Sequence, residues 1–169
     1  ISGHLFEGMI KQGANDDNGW ESWIVPRNHQ TEEQQLQTAW IHRAWGTGSD
    51  IEVVANLVFA LTIYDQERFA AAIERGISFL LDSHENTYCW KSTWYFGSYY
   101  GTYVSLRALC AAGAPPDTIE RSISFLEGSR RPDGGWALEG EPSSALQTAL
   151  ALLALSIASH YLGYDPDTR

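Results

Sequence analysis

Cysteine is scarce in this chain, clustered positive charge is missing, and no apolar run is long enough to cross a bilayer. Each absence closes off a class of function. The two cysteines, Cys89 and Cys110, stand in neither a C-x-x-C pair nor a metal-finger pattern, so no structural zinc or other metal is expected. Buried thiols are the ordinary fate of such residues and a disulfide the alternative; a cytoplasmic, reducing compartment follows as the default. A formal charge of -10, with no Lys/Arg cluster to offset it, repels phosphate backbones and sets nucleic acid aside as a partner. The most apolar stretch, Ala145 to Ala158, is interrupted by Gln147, Thr148 and Ser156 and is too short for a span. The chain is therefore read as soluble, with peripheral membrane contact left open. No basic stretch followed by an apolar run opens the sequence, so no leader is expected, although a chain cut from a longer protein begins in the same way. Gly-x-Ser-x-Gly, Gly-x-Gly-x-x-Gly and phosphate-cradling loops are also absent. No cofactor is implied.

What is present is a core-forming chain with an internal repeat. A hydrophobic content of 44% over 169 residues suffices for one compact domain or a few supersecondary units. Ile73-Glu74-Arg75-Gly76-Ile77-Ser78-Phe79-Leu80 returns 46 residues later as Ile119-Glu120-Arg121-Ser122-Ile123-Ser124-Phe125-Leu126. The same offset carries Trp90 onto Trp136, Thr102 onto Thr148, Leu106 onto Leu152 and Ala108-Leu109 onto Ala154-Leu155. One register without gaps thus covers a helix, a loop and a second helix. A degenerate earlier copy begins near His4, with Leu5, Phe6, Met9 and Ile10 ahead of Asp17-Asn18-Gly19-Trp20 and a longer loop. That loop holds Gln37-Thr38-Ala39-Trp40, an echo of Gln147-Thr148-Ala149-Leu150.

The two helices of each unit differ in character. Ile73, Ile77, Leu80 and Leu81 fall on one face, with Glu74, Arg75 and Ser78 opposite, which predicts an amphipathic outer helix. Val53 to Ile63 and Ala145 to Ala158 are apolar nearly all round, which predicts inner helices buried on both sides. Pro115-Pro116-Asp117 starts an outer helix and Arg131-Pro132-Asp133-Gly134-Gly135 stops it. The expected fold is all-α: a single domain over 1–169 with repeats near 4–64, 67–112 and 116–160, forming a partial α/α toroid of about three and a half units.

The repeat's own residues carry a resemblance. Arg130-Arg131-Pro132-Asp133-Gly134-Gly135-Trp136, followed by Ser144-Ala145-Leu146-Gln147-Thr148-Ala149-Leu150, resembles the tryptophan-and-glutamine motif of squalene-hopene and oxidosqualene cyclases. Ser92-Thr93-Trp94-Tyr95-Phe96-Gly97-Ser98-Tyr99-Tyr100-Gly101-Thr102 is similar to their tryptophan-rich segment leading into a Tyr-Gly-Thr helix. In order and spacing the resemblance runs from about residue 4 to 160, over the carboxyl-terminal barrel portion. An indole stacked over a side-chain amide would tie one repeat to the next, which makes Trp20, Trp90 and Trp136 staples or, less commonly, ligand contacts.

The resemblance implies class II terpene-cyclase chemistry, in which an Asp-x-Asp-Asp acid protonates an alkene or epoxide and aromatic faces guide the cations. No Asp-x-Asp-Asp occurs in the chain. Asp50-Ile51-Glu52-Val53-Val54-Ala55-Asn56 looks instead like a later family segment, whose acidic residue and His support that acid. Glu52 falls on the acidic position and Asn56 on the His position, and Asn cannot carry the positive charge that His can. Asp50 and Glu52 are alternatively a helix cap and first-turn charge. Trp94, Tyr95, Tyr99, Tyr100 and Tyr103, with Trp90 and Phe96, are candidates for a substrate-facing aromatic wall, the other reading being plain core. Prenyltransferase β subunits share the toroid, but their Asp-x-Cys zinc pattern is absent. The expected role is a terpene-cyclase-like domain around an isoprenoid or other apolar ligand, inactive alone without its acid and completed by a homodimer or a missing partner half. The rival is a non-catalytic module binding a protein partner or apolar ligand.

Overall fold

The computed structural model describes residues 2–22, 31–84, 86 and 88–164; part of the long first loop, residues 23–30, and both chain ends lie outside the described residues. Those residues form seven helices and no strand, an all-α fold: α1 (Ser2–Gly13), α2 (Glu32–Trp45), α3 (Ile51–Asp65), α4 (Ala70–Ser83), α5 (Tyr99–Ala111), α6 (Pro116–Gly128) and α7 (Ala145–Leu162). The sequence sets their ends. Pro116 occupies the first turn of α6, where its missing N–H costs nothing. Ser144 caps α7 by accepting from the Gln147 amide at 3.2 Å, and Gly163 ends it in the left-handed region at φ 72°.

The apolar helices α3, α5 and α7 pack side by side in that order, while α4 lies against α3 and α6 against α7 and α5. The three apolar helices thus form one row, with the amphipathic helices α4 and α6 packed against it. Where α4 crosses α3, a Cβ at Gly76 would collide with Val58, so glycine sets the approach of the two helices. The core runs continuously from Val54, Val58 and Leu61 through Leu80 and Trp90 to Leu106, Leu109, Leu126 and Trp136.

Three expectations need correction. Helix α7 is not buried on both sides: Gln147, Ala151, Ala154 and Ala158 are covered, whereas Leu146, Leu152 and Leu153 are 62%, 51% and 48% exposed. It is the last described helix of its row, so it has α5 and α6 on one side only. By length and composition α7, 18 residues over Ala145–Leu162, is apolar enough to cross a membrane; its apolar run extends past Ala158 and, against the expectation from the sequence, is not too short for a span. The third correction concerns Gln37-Thr38-Ala39-Trp40. That echo, read as part of the first copy's longer loop, lies on a helix of its own, α2, none of whose residues is buried; the apolar run Val53 to Ile63 lies on α3. Helix α2 forms on local terms, with a capping box between Thr31 and Gln34 and Glu32 and Glu33 in its first turn.

Candidate functional site

The repeat is reproduced in hydrogen bonds. The Trp90 indole donates to the Leu80 carbonyl at 2.7 Å, and the Trp136 indole to the Leu126 carbonyl at 2.8 Å. The backbone N–H groups of Trp90 and Trp136 each donate to a threonine hydroxyl, Thr102 and Thr148, at 3.1 Å. Both indoles are buried, so each ties the helix before its loop to the helix after it. Gln147 is buried as well, but its Oε1 has no hydrogen-bond partner among the described residues; threonine, one residue on, makes the tie. The first copy keeps the turn and the backbone bond from the next helix start to the tryptophan carbonyl, Asp50 to Trp20 at 2.9 Å as Ser144 to Trp136 at 3.0 Å. Asp17 accepts from the Gly19 amide at 3.0 Å and the Ser49 hydroxyl at 2.6 Å, as Asp133 accepts from the Gly135 amide at 3.0 Å and the Ser143 hydroxyl at 2.9 Å. Trp20 is buried, yet its indole N–H has no partner among the described residues. The serine that closes each turn lies far later after Trp20 than after Trp136, so α2 is carried inside the enlarged first loop.

Five of the eight candidate residues meet at one cavity. A volume of about 500 Å³ is lined by Glu52, Asn56, Trp94, Tyr95 and Tyr100, together with Phe6, Met9, Val53, Leu57 and Ala60. Helix α3 supplies one wall, and the loop before α5 with its first turn supplies another; α1 contributes Phe6, whose ring lies 5.2 Å from that of Tyr64. The aromatic run does not act as one surface. Tyr99 is 7% exposed and turns away toward Phe125, lining a separate cavity with Phe96. Tyr103 lies beside Arg107, and Trp90 is core. A helix spreads consecutive residues around its axis, so Tyr99 and Tyr100 cannot share a face.

The acidic candidates hold loops. Asp50 occupies the N-cap position of α3 without capping it; its carboxylate accepts from the Ser22 amide at 2.6 Å. Glu52 is buried, and its carboxylate accepts from the Ser92 hydroxyl, from the Trp94 amide at 2.8 Å and from the Thr93 amide at 3.1 Å. Three donors aimed at one buried carboxylate fix the segment that presents Trp94 and Tyr95 to the cavity. First-turn charge alone does not describe Glu52. Asn56 donates to the Glu52 carbonyl at 2.7 Å and accepts from Arg107 at 2.6 Å. Phe6 and Met9 were read from the sequence only as apolar positions of the first repeat and not as site residues, and Arg107 gave no signal within a single helix.

No group of three or more His, Cys, Asp or Glu able to hold a metal occurs among the described residues. Cys89 and Cys110 are not joined to each other, and burial pushes the Cys110 thiol up to about 12, which leaves it a poor nucleophile at neutral pH.

Comparison with known proteins follows the same residues. The family model described as squalene-hopene cyclase C-terminal domain matches residues 14–162. The squalene-hopene cyclase of Bradyrhizobium diazoefficiens is 33% identical over 97 residues, covering 49% of this chain and 15% of the relative. A probable squalene-hopene cyclase of Sinorhizobium fredii is 32% identical over 101 residues, covering 52% of this chain and 16% of the relative. The chain thus spans a small part of the relatives it matches.

Proposed function

We propose, for a chain that belongs to the squalene-hopene cyclase C-terminal domain family, that it forms part of the wall of an isoprenoid cavity and contributes no proton donor. The observation that carries this reading is the cavity bounded by Trp94, Tyr95 and Tyr100 on one side and Leu57, Ala60, Met9 and Phe6 on the other. Apolar side chains desolvate a hydrocarbon, and π faces stabilise a developing cation by about 0.5 to 2 kcal/mol each. Asp-x-Asp-Asp is missing from the chain, and Glu52 is committed to three loop donors, so the acid is supplied from outside these residues. The two helical layers are then an arc of an α/α toroid. Two thiols and no disulfide between them suit the cytoplasm.

A tertiary-amine analogue of squalene tests the reading, because it presents a cation inside a hydrocarbon. Binding is followed by quenching of tryptophan fluorescence. Trp94→Ala and Tyr100→Ala are expected to weaken binding several-fold without loss of helical circular dichroism, and incubation with squalene should yield no cyclised product. Unchanged binding by both variants would leave the aromatics as loop packing, and cyclisation by the isolated chain would refute the missing acid.

A second reading, a module that binds a protein partner, is favoured by the exposed leucines of α7. Leu106 is fully buried in the middle of the row, whereas Leu152, its repeat counterpart, is 51% exposed. The occupant that fits is a further helix of the same repeat type, which a second copy supplies when the chain is alone.

A further inference from the structure

Arg107 lies on α5 where a hydrocarbon cavity has no use for a cation. Its guanidinium stands 4.2 Å above the Phe59 ring and 5.4 Å from the Tyr103 ring. One Nη donates to Asn56, and Asn56 itself lines the cavity. A guanidinium has five N–H donors, and the buried Nε of Arg107 has no acceptor among the described residues. Neither does a carboxylate neutralise it: the described ion pairs join Glu7 to His4 and to Arg68, although acidic residues outnumber basic ones 21 to 11 in the chain. The guanidinium is part-exposed, with a neutral amide and two rings as its partners among the described residues, so an anion can still reach its free N–H groups. Tyr100, Tyr103 and Arg107 follow one another at i, i+3 and i+7, on one face of α5, which sets Arg107 about 10 Å along the axis from Tyr100 at the cavity.

We propose that Arg107, positioned by Asn56, receives the anionic head group of an apolar chain lying in the cavity, the head being a phosphate ester or a carboxylate. The proposal deepens the cavity reading and rests on it. A positive charge there repels a carbocation, so it belongs at the ligand's head and not along its reacting chain. The planar fork suits either oxyanion.

Three ligands with the same chain separate head from tail: geranylgeranyl diphosphate, geranylgeranoic acid and geranylgeraniol, with inorganic diphosphate as the head alone. Affinities are measured on the purified chain by tryptophan fluorescence and calorimetry. The expected result is at least tenfold tighter binding of one or both anionic ligands than of geranylgeraniol, the stronger of the two identifying the head group. Arg107→Gln should bring that preference down to about threefold or less, with geranylgeraniol binding unchanged, and Arg107→Lys should keep part of it. Equal wild-type affinity for all three ligands, a comparison that needs no variant, would overturn the proposal, as would a preference that survives in Arg107→Gln. Failure of the cavity reading is distinct: no ligand with a tail would bind more tightly than inorganic diphosphate. Absence of binding by every ligand refutes both.

Discussion

At the scale of single residues, the repeat tryptophans and the aspartate turns carry the local energetics. Trp136 is 1% exposed and hydrogen-bonded to the carbonyl end of α6, so Trp136→Ala is expected to cost about 3 to 5 kcal/mol through the cavity it leaves. Thermal denaturation measures this, and an unchanged melting temperature would remove Trp136 from the staple role. Asp133 offers a pH test. The Gly135 amide, and after it the Ser143 hydroxyl, hold its carboxyl below the ordinary value of 3.8. A depressed folded-state pKa contributes stability above the unfolded value, and that contribution is lost as pH falls through the folded one. Wild type should therefore melt above Asp133→Asn at neutral pH, with the gap closing in acid below about 3.8; a gap that persists there would assign the effect to something other than charge. Glu52→Gln places an amide among donors that all need an acceptor, at an expected cost of about 1 to 3 kcal/mol. The readout is a lower melting temperature together with a change in Trp94 emission.

At the scale of elements, glycines mark where one segment crosses another. A Cβ at Gly101 would strike the backbone carbonyl of Trp90, and neither α5 nor the loop before it can yield without moving the Trp90–Thr102 bond. Gly101→Ala is expected to destabilise by about 1 to 3 kcal/mol. Gly8, in α1, has nothing within 4 Å of its Cβ position, and Gly8→Ala should be neutral or stabilise by up to about 1 kcal/mol. Paired urea titrations separate the two, and equal midpoints would deny the close approach at Gly101. Helix α2 is the opposite case, since it forms on caps and first-turn charge and buries none of its residues. Its Gln37-Thr38 pair echoes the Gln147-Thr148 in the first turn of α7, yet α2 is left uncovered, because local spelling does not record what a helix packs against.

At the scale of the whole molecule, position in the row decides what the same repeat residue does. Leu106→Ala should cost about 2 to 5 kcal/mol, whereas Leu152→Ala should stay within about 0.5 kcal/mol in a dilute, monomeric sample. If a second copy covers α7, light scattering will report association at higher concentration, and Leu152→Lys will abolish it without lowering the melting temperature of the dilute chain. A monomer at all concentrations would withdraw the second copy as occupant.

The sequence by itself determined the 46-residue register from Ile73 to Leu155, the all-α class, the helix ends at Pro116 and Ser144 and the pairing of Trp90 with Trp136, because repeats, caps and breakers are properties of neighbours along the chain. Only the tertiary structure decided that Tyr100 lines the cavity and Tyr99 does not, that Glu52 serves the loop before α5, that Arg107 lies against Asn56, and that α7 keeps an uncovered face. Those outcomes depend on which helix lies across from which. Contacts between residues some 40 or 50 positions apart are set by packing, which a one-dimensional pattern does not specify.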